Sequence, residues 1–176
     1  FGWSLFSTYI CPFEPEINLV MQELVDNNDL VIIKDYLGNV YWPFFGINSI
    51  GNLTNGWGYQ IKTYNETILN LSGDTLNHNY PIDIPEGWSL IGYLHQESYL
   101  IEDMFLPLTE YSNLIISKDY LGNVYWPMFD LNTIGGMIPG QGYQINILEN
   151  TIFSYPESNS GRYGYNSGMS FYSSKF

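Results

Sequence analysis

The chain has 176 residues, 45% of them hydrophobic and 18% aromatic, with five Lys plus Arg against 18 Asp plus Glu, a formal net charge of −13. So acidic a surface repels phosphate backbones and anionic bilayers, and no apolar run approaches the roughly 18 residues of a membrane span, which excludes nucleic-acid binding and membrane insertion. Cys11 is the only cysteine, so no intrachain disulfide staples the fold.

A duplication organises the chain. KDYLGNVYWP stands at residues 34–43 and again, letter for letter, at 118–127. GWSL at 2–5 recurs at 87–90, and GWGYQI at 56–61 recurs as GQGYQI at 140–145. Between 34–61 and 118–145, 19 of 28 aligned positions are identical. This divides the chain into a first repeat unit at 1–76, a linker at 77–86 stiffened by Pro81 and Pro85, a second unit at 87–157 and a tail at 158–176. Units of this size have marginal cores of their own, so packing between units or between chains is expected to add stability. Phe1 stands one residue before the first landmark, as expected of a processed mature protein or of an excerpt from a longer array.

In chain order, residues 2–10 (GWSLFSTYI) read as a strand, as do 87–94. Ile17, Val20, Met21 and Leu24 then recur at helical spacing, and the second copy places Ile101, Met104, Phe105 and Leu108 there. Pro107 predicts that the second helix ends or kinks near Phe105, while the first runs on. Residues 30–34 and 114–118 are predicted strands, each followed by a β-hairpin. Lys34, Asp35, Gly38, Asn39 and Trp42 build the first hairpin, and Lys118, Asp119, Gly122, Asn123 and Trp126 the second. In each, Asp accepts turn amides, Gly and Asn suit positive φ, and Val40 and Trp42 alternate onto one face. Residues 58–61 form a further strand, with Tyr59 and Ile61 on one face, and 67–71 another, paralleled by 151–154. The fold expected is mostly β with minor α: two tandem small antiparallel β-sandwich or partly closed barrel units. Each has about five strands and one short helix, and an extended C-terminal tail follows.

Chemistry is sparse. His78 and His95 do not recur between the copies and are expected to be a surface histidine and a half-buried one. A hydrolytic triad or zinc site needs more such residues than the chain holds. No catalytic, metal or cofactor residue is assigned; Ca²⁺ on Asp35 and Asn39 is the one ion considered. Tyr41/Trp42 and Tyr125/Trp126 offer aromatic platforms for sugar rings, with one of each pair facing away from the core. Asn52, Asn65 and Asn70 open glycan-acceptor tripeptides. In the tail, Tyr163, Tyr165, Met169, Phe171 and Phe176 stand among Gly and Ser, with Tyr163/Tyr165 and Met169/Phe171 alternating with period two. They form a candidate assembly strand for the sheet edge of another copy.

The GW-[S/N]-L opening, the KD-x-x-GNVYWP hairpin and the G-x-GYQI strand together resemble the repeat modules of large secreted or cell-surface proteins of environmental bacteria. That resemblance covers residues 2–155 and implies extracellular display and tandem architecture. The function expected is a non-enzymatic extracellular structural or adhesive protein, a subunit of a filament or surface assembly built by head-to-tail β contacts with itself. The alternative is a carbohydrate-binding module using exposed Tyr and Trp, with glycans as partners.

Overall fold

The computed structural model describes residues 2–157; the candidate assembly strand at Tyr163, Tyr165, Met169, Phe171 and Phe176 lies outside the described residues. The fold is mostly β, with four short α-helices among the described residues. Two five-stranded antiparallel sheets dominate it, and no barrel closes among the described residues. The first sheet runs Trp3–Phe6, Tyr59–Thr63, Leu30–Lys34, Val40–Trp42, Ile47–Asn48 in spatial order. The second repeats that order with Gly87–Gly92, Gly142–Ile147, Leu114–Lys118, Val124–Trp126 and Leu131–Asn132.

The register decides which residues face in. Ile33 pairs with Ile61 and with Tyr41, and all three point into the core with Tyr59 and Phe6. Leu5 pairs with Gln60, Gln60 with Lys34, and Lys34 with Val40, so these four form a row on the opposite face. The second copy repeats the row as Leu90, Gln144, Lys118 and Val124. Each long central strand carries a register shift at the same place, between Leu30 and Ile32 and between Leu114 and Ile116. The extra residue breaks the alternation, which lets Leu30 and Ile33, three apart, both face the core.

Several expectations are corrected. The second helical segment breaks at Phe105 as expected, into Ile101–Met104 and Leu106–Thr109, but the first is broken too, into Ile17–Val20 and Gln22–Asp26. Met21 and Phe105 sit at the break with nearly the same backbone (φ −97°, ψ 6° and φ −100°, ψ 10°). Glu23 stands where the second copy has Pro107, so proline is not the cause. Both break residues are fully buried, and the demand of that packing is shared by the copies.

Residues 77–86 are not only a linker: Ile82–Ile84 is a strand that pairs with Thr151–Phe153, and both isoleucines belong to the second core. Residues 67–71 form no regular strand, whereas Ile47–Asn48 supplies an edge strand that went unforeseen. In the hairpins only Gly38 and Gly122 take positive φ (88° and 85°), not Asn39 or Asn123. Tyr41, not Val40 and Trp42, faces the core, being 8% exposed like Tyr125.

The two cores are separate clusters joined at Trp57, which packs against both. Contacts between the copies are reciprocal. Phe6 bridges Gln141, and their sequence counterparts Ile91 and Trp57 bridge each other. The Ser7 amide donates to the Gly140 carbonyl at 2.9 Å, and the Gly92 amide donates to that of Gly56 at 2.8 Å. A self-matching set of contacts of this kind is what a two-fold relationship produces.

Candidate functional site

The duplicated hairpin carries two sets of residues. Asp35 Oδ1 accepts from the amides of Leu37 (2.9 Å) and Asn39 (2.8 Å), and Oδ2 accepts from Asn39 Nδ2 at 2.8 Å. Asp119 does the same with Leu121 and Asn123. Three of the roughly four acceptor sites of each carboxylate are therefore used by the turn. This leaves little to offer the calcium ion considered from sequence. Among the described residues no group of three or more His, Cys, Asp or Glu is placed to hold a metal.

Lys34 and Tyr36 do something else. With their counterparts they line two clefts of about 390 and 420 Å³ at the junction of the copies. The first is walled by Trp3, Lys34 and Gln60 from one copy and by Asp119, Tyr120 and Gln144 from the other. The second is walled by Trp88, Lys118 and Gln144 and, from the other copy, by Lys34, Asp35, Tyr36 and Gln60. Lys34, Gln60 and Gln144 line both clefts. Apart from Lys34, exchange of the copies turns one set into the other. Each lysine stands at the cleft beside its own tryptophan, Lys34 at the second as well, and each Asp-Tyr pair at the cleft across the junction.

The geometry inside is matched as well. Lys34 Nζ lies 4.8 Å from the ring centroid of Trp3, and Lys118 Nζ lies 4.8 Å from that of Trp88. Both indoles are open to solvent, 42% and 50% exposed. Neither lysine makes an ion pair among the described residues. Burial and then the neighbouring Asp35 and Asp83 raise the Tyr36 phenol above its ordinary pKa. Burial and then Asp119 raise that of Tyr120, against a hydrogen bond with Gln141. Both phenols keep their proton and can donate. Each cleft therefore presents an indole, an ammonium, side-chain amides, a phenol and the hairpin carboxylate beside it.

The sequence-predicted sugar platforms are overturned in part. Tyr41 and Tyr125 are core residues and offer no stacking face. Trp42 and Trp126 are half-buried and packed edge-on against Phe45 and Phe129, with centroids 4.6 Å apart in both. Beyond them the 3₁₀ turns Pro43–Phe45 and Pro127–Phe129 hold Phe44 and Met128 in solvent, each 84% exposed. Asn52, Asn65 and Asn70 are exposed, Asn65 donating to Asp29 and Asn70 to Glu23.

The histidines lie in a different depression that shares no lining residue with the clefts. His78 and His95 stack with centroids 4.4 Å apart, and His95 is buried rather than half-buried. Its Nε2 is 3.1 Å from the Pro156 carbonyl, and that of His78 is 3.3 Å from Glu157. Burial and then the charge of His78 lower the His95 pKa to about 4.

Sequence reasoning missed Trp3, Trp88, Gln60 and Gln144. A signal was present: all lie off the core face, where letters drift, and Lys62 has indeed become Asn146, yet these pairs are unchanged. No family model, curated protein or solved structure matches the chain.

Proposed function

We propose that the chain is a non-enzymatic, extracellular adhesive protein that binds carbohydrate in the two composite clefts. The observation that carries this reading is the pair of matched indole–ammonium–amide walls, made of residues that neither core needs. A pyranose ring presents C–H groups of partial positive charge that pack on the negative face of an indole, while amides, ammonium and phenol hydrogen-bond its hydroxyls. Recognition without turnover draws support from the cleft carboxylates, which are held by turn amides. Extracellular display draws support from the resemblance to secreted repeat modules and from the three exposed glycan-acceptor asparagines.

Isothermal titration against oligosaccharides picked from a glycan array tests it. The wild-type protein binds two equivalents, Trp3→Ala or Trp88→Ala leaves one, and the double variant binds none. A wild-type protein that binds no glycan on the array refutes the reading.

Self-assembly into a filament is the second reading, favoured by the exposed apolar turns at Phe44, Phe45, Met128 and Phe129. Negative-stain microscopy separates polymer from monomer directly. In the donor-strand version, deletion of residues 159–176 leaves folded monomers that no longer assemble, and fibres that persist after the deletion sink that version.

A further inference from the structure

From the placement of its lysines we infer that each cleft selects a sugar ring bearing an anionic substituent, a hexuronate carboxylate first among them; this rests on the carbohydrate reading above. Cationic groups are scarce in the protein. Lys34, Lys62 and Lys118 are the only Lys or Arg among the described residues, against 18 carboxylate side chains in the whole chain. Two of the three point into the clefts.

The ammoniums are unspent. Neither pairs with a carboxylate among the described residues, although Asp35 and Asp119 follow them directly in sequence. Those carboxylates are turned into their own hairpins by three hydrogen bonds each and, although they stand in the cleft walls, make no ion pair with the lysines. Each Nζ instead stands over an indole face, so a sugar ring that packs on that indole meets the ammonium directly. An anionic substituent on the ring then engages Nζ, and the Gln60 and Gln144 amides and a protonated phenol complete its hydrogen bonds. Asp119 in the first cleft and Asp35 in the second oppose such a ligand at close range, held back by their turn hydrogen bonds. The more distant acidic surface opposes it only weakly at physiological salt, since exposed charges beyond about 8 Å are largely screened.

The test compares a linear hexuronate trisaccharide, its methyl ester and its sulfated neutral counterpart by isothermal titration at fixed ionic strength, with inorganic sulfate alone as the bare-anion control. The hexuronate is expected to bind at least about tenfold more tightly than the ester, and Lys34→Gln with Lys118→Gln to erase that preference while the melting temperature holds. Tighter binding of the sulfated sugar keeps the anionic selection and replaces carboxylate by sulfate. Equal or tighter binding of the ester overturns the inference and leaves carbohydrate binding standing. Binding of sulfate alone at the same affinity overturns the sugar requirement. Failure of every saccharide, on the array as well, overturns the carbohydrate reading itself.

Discussion

Gly58 and Gly142, counterparts in the duplication, meet where the two copies join: a Cβ on Gly58 would stand 3.2 Å from the Gly142 Cα and 2.9 Å from the Ile91 carbonyl oxygen. The obstructing atoms are backbone, which cannot swing aside. Gly58→Ala is therefore expected to push the copies apart, at a cost of about 1–3 kcal/mol in urea unfolding. Gly142→Ala, whose Cβ meets the Phe6 carbonyl at 3.0 Å, behaves alike. Unchanged unfolding midpoints in both variants would rule out the close junction.

Because each cleft takes one wall from either copy, pairs of substitutions should combine by cleft and not by copy. Trp3→Ala with Tyr120→Ala damages one cleft and leaves a stoichiometry of one. Trp3→Ala with Tyr36→Ala damages both and abolishes binding, although both changes lie in the first copy. If pairs within a copy proved milder than pairs across copies, the clefts would not be composite.

The hairpin aspartates are structural. Asp35→Ala removes the acceptor for two backbone amides and the Asn39 side chain, and is expected to lower stability by about 1–2 kcal/mol. Asp35→Asn keeps one acceptor oxygen and should cost less. Chemical denaturation of the two variants gives the order, and a harmless Asp35→Ala contradicts the assignment.

The buried His95 ties stability to pH. Its pKa, lowered to about 4 from 6.5, means that the unfolded chain binds more protons than the folded one between those values. Its contribution is fully present above pH 6.5 and is lost as pH falls towards 4, by up to about 3 kcal/mol. The difference between wild type and His95→Gln, measured at pH 7, 5.5 and 4, isolates this from the carboxylates. A difference that stays constant with pH excludes the linkage.

The exposed apolar turns contribute little to folding. Phe44→Ser and Met128→Ser should each change stability by less than about 0.5 kcal/mol. If these turns mediate self-association, sedimentation velocity will show the double variant shifted to monomer. A variant that associates as the parent does removes them from that role.

How much could be read from letters alone differs from element to element. Ile17, Met21 and Leu24 announced a packed face, and Tyr59 with Ile61 announced a strand, because local periodicity reports which side of an element is buried. The inward turn of Tyr41 was misjudged, since Val40–Trp42 is three residues long and its face is set by pairing with Ile33, 8 residues away in sequence. Ile82 and Ile84 looked like linker because their partner strand, Thr151–Phe153, lies far down the chain.

The duplication, the acidic surface, the scarcity of reactive groups and the β-rich class are properties of composition and local pattern, and the chain states them without folding. Which residues of the repeated hairpin line the clefts was decided only when one copy met the other. Lys34 and Asp119 are 85 positions apart, and no periodicity within a strand or turn carries information about a wall that a different sheet supplies. Close approach at two glycines, a long-range packing event, is what turned two copies of a scaffold into two clefts.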